Sequence, residues 1–192
     1  MQMKKIALLT IMTLAMQFAY GQAIYEKTIE LQGGPGIDKH TKFSVGASTT
    51  HGARIDNFFI GAGAGFRYTN ALYYSSYGLG TSNSYDGKYL IPLYIRASYQ
   101  FGNSSVKPML SFDLGTTIDV GQNQQYKNTE GLFYEPAVGV SIAIDEKTSI
   151  FMTLGLNYQN AHHTFYSYGS STSTEEIKGM GGTLNFKFGL TF

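Results

Sequence analysis

The sequence predicts an all-β chain that closes as an eight-stranded antiparallel up-and-down transmembrane β-barrel. Three observations carry this. Apolar and polar residues alternate with a period of two in segment after segment. The connections between those segments alternate between tight and long. The polar face is built of Gly, Ser, Thr and Ala rather than of charge. Charged residues make up 14% of the 192, against roughly 25% in soluble domains, while aromatics reach 15%.

The chain opens with Lys4 and Lys5, an apolar stretch from Ile6 to Ala19, and then Ala19-Tyr20-Gly21-Gln22. The stretch is too short to span a bilayer, and small residues at Ala19 and Gly21 suit a signal peptidase site. Residues 1–21 therefore read as a secretory signal peptide and 22–192 as the barrel, with a cut after Ala23 as the alternative. The net charge of +1 includes Lys4 and Lys5, so the mature chain is slightly acidic. No basic cluster is available to hold phosphate backbones, so nucleic acid is not expected as a partner. Zero Cys removes disulfides, thiolate metal sites, Cys nucleophiles and a lipid-anchored N-terminal Cys.

The first strand lies around Tyr25 to Gly33, with Ile29 and Leu31 set against Glu30 and Gln32. In the second, Phe43, Val45 and Ala47 oppose Ser44, Gly46 and Ser48. The third runs from Phe58 to Tyr68, its even apolar positions against Gly61, Gly63, Gly65 and Arg67. The fourth sets Ile91, Leu93, Ile95, Ala97, Tyr99 and Phe101 against Pro92, Tyr94, Arg96, Ser98 and Gln100. Leu110, Phe112, Leu114 and Ile118 alternate with Ser111, Asp113, Gly115 and Thr117 in the fifth. Val138, Val140, Ile142 and Ile144 define the sixth, and Ile150, Met152, Leu154, Leu156 and Tyr158 the seventh. The eighth has the clearest pattern, with Leu184, Phe186, Phe188, Leu190 and Phe192 against Thr183, Asn185, Lys187, Gly189 and Thr191. Pro92 and Pro136 lack a ladder N–H, so bulges or strand starts are expected there.

Connections near Ile55-Asp56-Asn57, Gly102 to Ser105 and Asp145 to Lys147 are tight; those at about 70–87, 121–130 and 160–179 are long and rich in Ser, Tyr, Asn and Gly, and that at about 34–41 is intermediate. Short turns at one end, long loops at the other and an even number of strands match an outer-membrane barrel with both termini in the periplasm. A soluble secreted barrel of lipocalin type is the competing architecture, and its water-facing surface would carry Lys and Glu. Here the polar face is mostly small, with one or two charges per strand, which suits a narrow filled lumen, while the apolar face suits hydrocarbon. Phe58, Phe66, Tyr68, Tyr89, Tyr99, Phe101, Tyr158 and Phe192 fall toward strand ends, as interfacial girdles do.

The signal segment, the run His51-Gly52-Ala53-Arg54-Ile55 into Phe59-Ile60-Gly61-Ala62-Gly63-Ala64-Gly65, the stretch Ile91-Pro92-Leu93-Tyr94-Ile95-Arg96-Ala97 and the terminal Phe192 resemble the small porin-like outer-membrane β-barrels of Bacteroidetes. The resemblance implies an OmpA-like or OmpX-like eight-stranded barrel in a Gram-negative outer membrane. It also implies that the last strand, ending in Phe192, is read by the barrel assembly machinery. It supplies no activity and no catalytic residue.

Inward charges are costly unless paired. Counting heights from the periplasmic end predicts that Glu30 meets Lys187, that Arg96 meets Asp113 on the next strand, and that Arg67 faces Glu135 across the lumen. Paired charges of this kind plug a barrel; pairs that exchange partners would instead gate a small pore for ions or solutes. No enzyme is expected. His162 and His163 lie near Ser167, Ser170, Glu175 and Glu176, but neighbours in sequence do not make a triad. His40 and His51 are isolated, and no metal or cofactor site is read. Tyr73, Tyr74, Tyr77 and Tyr85, with Phe165, Tyr166 and Tyr168, place aromatics in the outer loops, where they can bind an envelope-protein or extracellular partner or pack on one another.

Overall fold

The computed structural model describes residues 23–37, 41–77, 80–120, 129–167 and 173–192. They form eight strands: β1 (Ile24–Pro35), β2 (Thr41–Ile55), β3 (Phe58–Tyr77), β4 (Gly80–Gln100), β5 (Val106–Asp119), β6 (Thr129–Ala143), β7 (Ser149–Ser167) and β8 (Ser173–Thr191). Each pairs antiparallel with the next, and β8 returns to β1 to close the barrel. Closure runs from Thr28↔Thr191 to Gly33↔Phe186, and Lys27 and Phe192 exchange backbone hydrogen bonds of 2.8 and 2.9 Å below it. Residues 1–21, including the expected signal segment, lie outside the described residues.

The turns β2–β3, β4–β5 and β6–β7 share one end of the barrel with both ends of the sheet. Asp56 takes a left-handed φ of 52° in the first, and Gly102 a φ of 82° in the second. Asp tolerates that region through its short polar side chain, and Gly without cost.

The expected loops at 70–87 and 160–179 are largely strand. The β3–β4 ladder continues to Tyr77↔Gly80, and the β7–β8 ladder to Ser167↔Ser173. Above the apolar belt no face is forced to be apolar, so the period-two pattern ends while backbone pairing goes on, helped by the strand preference of Tyr and Thr. The intermediate connection shortens likewise, since β1 reaches Pro35 and Gly36 bridges Thr183. The 121–130 connection narrows at its end, with β6 beginning at Thr129.

The prolines also depart from expectation, because neither starts a strand or shifts the register. On the β3 side of Pro92 the ladder lapses between Ala64↔Leu93 and Arg67↔Leu90 and resumes in step. Beside Pro136 it lapses between Tyr134↔Tyr158 and Ala137↔Gly155. Each proline keeps its pairing with β5, at Thr117 and Phe112 respectively. The missing N–H thus costs a local gap on one side rather than a bulge. The bulges fall elsewhere, between Thr41 and Phe43 and between Glu130 and Phe133.

Burial is inverted relative to a water-soluble barrel. Ile95 is 60% exposed on the outer wall, whereas Glu30 on the inner wall is 1% exposed. The outer wall also carries Leu31, Leu114, Val138, Leu154 and Phe186, all exposed. Inside, bulky residues sit beside residues with little or no side chain. A Cβ on Gly63 would collide with the Tyr94 ring, one on Gly115 would stand 2.6 Å from the Tyr94 Cβ, and one on Gly189 would meet the Phe151 ring at 2.5 Å. This alternation of large and absent side chains lets a narrow lumen fill most of its own space. The sequence pattern did not reveal that Phe59, Phe133 and Phe151 also point inward, where they are buried.

Candidate functional site

Period-two geometry sends Glu30 and Gln32 of β1, Arg67 of β3, Tyr94 and Arg96 of β4, Asp113 of β5, Glu135 of β6, Asn157 of β7, and Asn185 and Lys187 of β8 into one layer of the lumen, all of them buried. The register makes Arg96 and Asp113 direct cross-strand partners, and Asp113 and Glu135 likewise. Arg96 forms a fork with Asp113, Nε to Oδ1 and Nη2 to Oδ2, both at 2.7 Å. Its other side donates to Glu30 at 2.6 Å from Nη1 and 2.8 Å from Nη2. Such two-pronged guanidinium–carboxylate contacts are among the strong hydrogen bonds of proteins.

Lys187 joins this group to a second. Its Nζ donates to Asp113 Oδ2 at 2.6 Å and stands 2.8 Å from Glu135 Oε1 and 3.9 Å from Glu30 Oε1. Glu135 accepts from Asn157 Nδ2 at 2.8 Å and from Asn185 Nδ2 at 3.0 Å. Arg67 is held less closely: Asn157 Oδ1 lies at 3.3 Å, Gln32 Oε1 at 3.4 Å and Glu135 Oε2 at 3.9 Å, and its Nε has no hydrogen-bond partner. Its guanidinium lies 5.4 Å from the centre of the Phe133 ring. Ser48 donates to Glu30 at 2.7 Å, and the Tyr94 hydroxyl bridges toward Glu30 at 3.5 Å and Thr50 at 3.0 Å.

The three pairings expected from strand height thus stand at 3.9 Å for Glu30–Lys187, 2.7 Å for Arg96–Asp113 and 3.9 Å for Arg67–Glu135. They are parts of one network in which Arg67, Arg96 and Lys187 balance Glu30, Asp113 and Glu135. Sequence reasoning missed the neutral members Gln32, Ser48, Tyr94, Asn157 and Asn185, which hydrogen-bond to the charged groups of the network. Their signal was their phase, since each stands at an inward position of its strand.

It also missed a second ion pair nearer the turns. Arg54 Nη2 donates to Glu26 Oε1 at 2.8 Å, and Arg54 Nε to the other oxygen of Glu26. Counting by twos from Ser48 reaches Arg54, and from Glu30 reaches Glu26, so phase announced these as well. Between this pair and the central network lies a cavity of about 20 Å³.

On the outer wall, ring contacts gather toward both ends of the belt. Phe43, Tyr68, Tyr89 and Phe66 form a chain with ring centres 5.2 to 5.8 Å apart, and Tyr134 stacks on Tyr158 at 5.3 Å. At the turn end, Tyr99 meets Phe101 edge-on at 4.9 Å. Phe192 faces outward beneath Lys27, whose Nζ stands 4.9 Å from the ring centre. Tyr73, Tyr74, Tyr77, Tyr85, Phe165 and Tyr166 lie on strand extensions whose side chains fall outside the described residues, as do those of His162 and His163; Tyr168 lies outside them altogether.

No family model and no curated protein matches the sequence. Solved structures do share its fold. The outer membrane protein OprG from Pseudomonas aeruginosa aligns with a TM-score of 0.62 and 10% identity over 90% of this chain and 98% of that one. Neisserial surface protein A aligns at 0.53 and 14% identity, over 87% and 95%. The outer membrane protein AlkL, solved in DMPC lipid bilayers, aligns at 0.50 and 8% identity, over 90% of each chain. At these identities the likeness is one of fold.

Proposed function

We propose that this protein is an integral barrel of a Gram-negative outer membrane, mainly structural, with a lumen shut by the buried ion network. The observation that carries this is the inverted burial, with charges inside and a continuous apolar wall outside. The belt has the right height: from Tyr89 to Tyr99 is about 33 Å along the strand, or about 25 Å along the axis of a barrel whose strands tilt by about 40°. A neutral network also suits a plug, because each buried charge has a partner and no net charge draws in counter-ions.

In this reading the turns and termini face the periplasm, the outer-membrane lipid is the main partner, and Phe192 is presented to the barrel assembly machinery during insertion. The strand extensions above the belt carry Tyr73, Tyr74, Tyr77, Tyr85, Phe165 and Tyr166, with Tyr168 in the connection beyond, toward an envelope-protein or extracellular partner. The reading contains no catalytic step and no cofactor, and the resemblance to small Bacteroidetes barrels fits it. A narrow gate is the second reading, favoured by the loose hold on Arg67 and its unpartnered Nε.

Expression of the full chain in a Gram-negative host tests membrane residence. The expected product starts at Gln22, stays in the outer-membrane fraction through alkaline extraction and changes gel mobility on boiling. A product that is soluble in the periplasm without detergent would replace this reading with the soluble barrel.

A further inference from the structure

We propose that the turn-end half of the lumen is a hydrated chamber with a gate of its own, the Glu26–Arg54 pair, in series with the central network. The proposal rests on the closed-lumen reading and adds a second barrier and a water site to it.

The chamber is the cavity of about 20 Å³ between the two ionic layers. A cavity needs roughly 10–15 Å³ of this measure to hold one water, and that water needs polar partners. Here they are present above, below and on part of the wall: Arg96 and Lys187 form the roof, Ser98 and Thr191 belong to the wall beside the apolar Phe59, Met109 and Phe151, and Glu26 and Arg54 form the floor. Two further lining groups, the buried hydroxyls of Thr28 and Thr153, have no hydrogen-bond partner. A buried hydroxyl left unpaired is costly, so water drawn to these two positions is favoured.

The floor is built to close. Arg54 engages both oxygens of Glu26 through Nε and Nη2, and its Nη1 reaches the backbone oxygen of Asn57 at 3.5 Å. Its guanidinium centre lies 5.7 Å from the middle of the Phe59 ring. The pair is nonetheless less buried than the roof, at 17% and 11% side-chain exposure against 6% for Arg96 and 3% for Lys187. Ionic contacts that remain partly wet contribute less than fully desolvated ones and are easier to break. The floor is therefore the barrier that opens first, and its opening admits water to the chamber while the roof stays shut.

The chain has no cysteine, so single thiols can be placed without background. Ser98→Cys puts one on the chamber wall, and Ser44→Cys puts one in the lumen beyond the network. Each refolded protein is exposed to silver ions, which reach thiols only through water, and surviving thiols are counted after unfolding. With the gate intact, Ser98→Cys reacts slowly. Adding Glu26→Gln or Arg54→Ala speeds it by roughly tenfold, the factor expected for removing a charge-assisted pair. Ser44→Cys keeps its rate in both backgrounds.

Two gate variants guard against one failing to fold, and boiling-dependent gel mobility reports folding for each. An unchanged Ser98→Cys rate in both folded gate variants would overturn the gate. A parallel acceleration of Ser44→Cys would overturn the separation of the two barriers. A wild-type chain that conducts steadily would defeat the closed-lumen reading, a result read in current rather than in thiol rates.

Discussion

Asp113 and Glu135 are direct cross-strand partners on β5 and β6, two carboxylates buried side by side. Like charges in that position repel. What holds them is the Lys187 ammonium of β8, 2.6 Å from one and 2.8 Å from the other. The barrel is thus fastened across its lumen as well as around its wall.

Replacing Lys187 by Met should therefore cost about 3–5 kcal/mol, the usual result of stripping the partner from a buried charge. Urea unfolding in lipid vesicles measures it. Adding Glu135→Gln to the same chain should recover part of the loss, since one of the two stranded carboxylates is then neutral. A Lys187→Met protein as stable as the wild type would deny the ammonium this role.

Gly63 leaves the space that Tyr94 occupies. Gly63→Ala should destabilise the barrel by about 1–3 kcal/mol through overpacking. The same substitution in a Tyr94→Leu chain should cost much less, and a double-mutant cycle in vesicles checks the coupling.

Ile95 lies between the aromatic rings of Tyr89 and Tyr99 on the outer wall. Ile95→Arg should cost about 2–4 kcal/mol in a bilayer, whereas Phe101→Arg at the rim should cost about 0–1 kcal/mol. The contrast is read from unfolding of the two variants in the same vesicles, and equal costs would argue against a lipid-facing belt.

The β6–β7 turn should lose support in acid. Asp145 Oδ1 accepts from the backbone N–H of Lys147 at 2.8 Å and of Thr148 at 2.7 Å. These bonds favour the carboxylate and hold the group below the ordinary Asp value. The turn is therefore supported above that ordinary value and loses the support as pH falls through the lower folded one. Carboxyl-carbon NMR shifts of Asp145 should titrate below those of an unstructured Asp, and Thr148→Pro, which removes one donor, should raise the midpoint.

The strands and their facing were legible because hydrocarbon on one side and a filled lumen on the other enforce period two, as from Leu184 to Phe192. Where that constraint ends, so does the signal: Leu72 to Tyr77 pairs with Gly80 to Tyr85 without an enforced apolar face, and looked like loop. Inward phenyl groups escaped notice because the lumen asks only that space be filled, which Phe59 and Phe151 do as well as Ser. The six central charges were legible as inward and mutually compensating. Their joining into one network was not, because shear displaces heights between strands and sets Lys187 opposite Gln32 rather than Glu30. Glu26 and Arg54 carried the right phase but sat close to the strand ends, where alternation is short.

Whether the ion network closes the lumen is decided by single-channel recording from refolded residues 22–192 in a planar bilayer, with Arg96→Ala alongside. Arg96 binds both Glu30 and Asp113 by paired contacts. With the network intact the wild type should give no steady openings, and frequent openings should appear once Arg96 is gone. Steady openings of equal size and frequency in both proteins would contradict it.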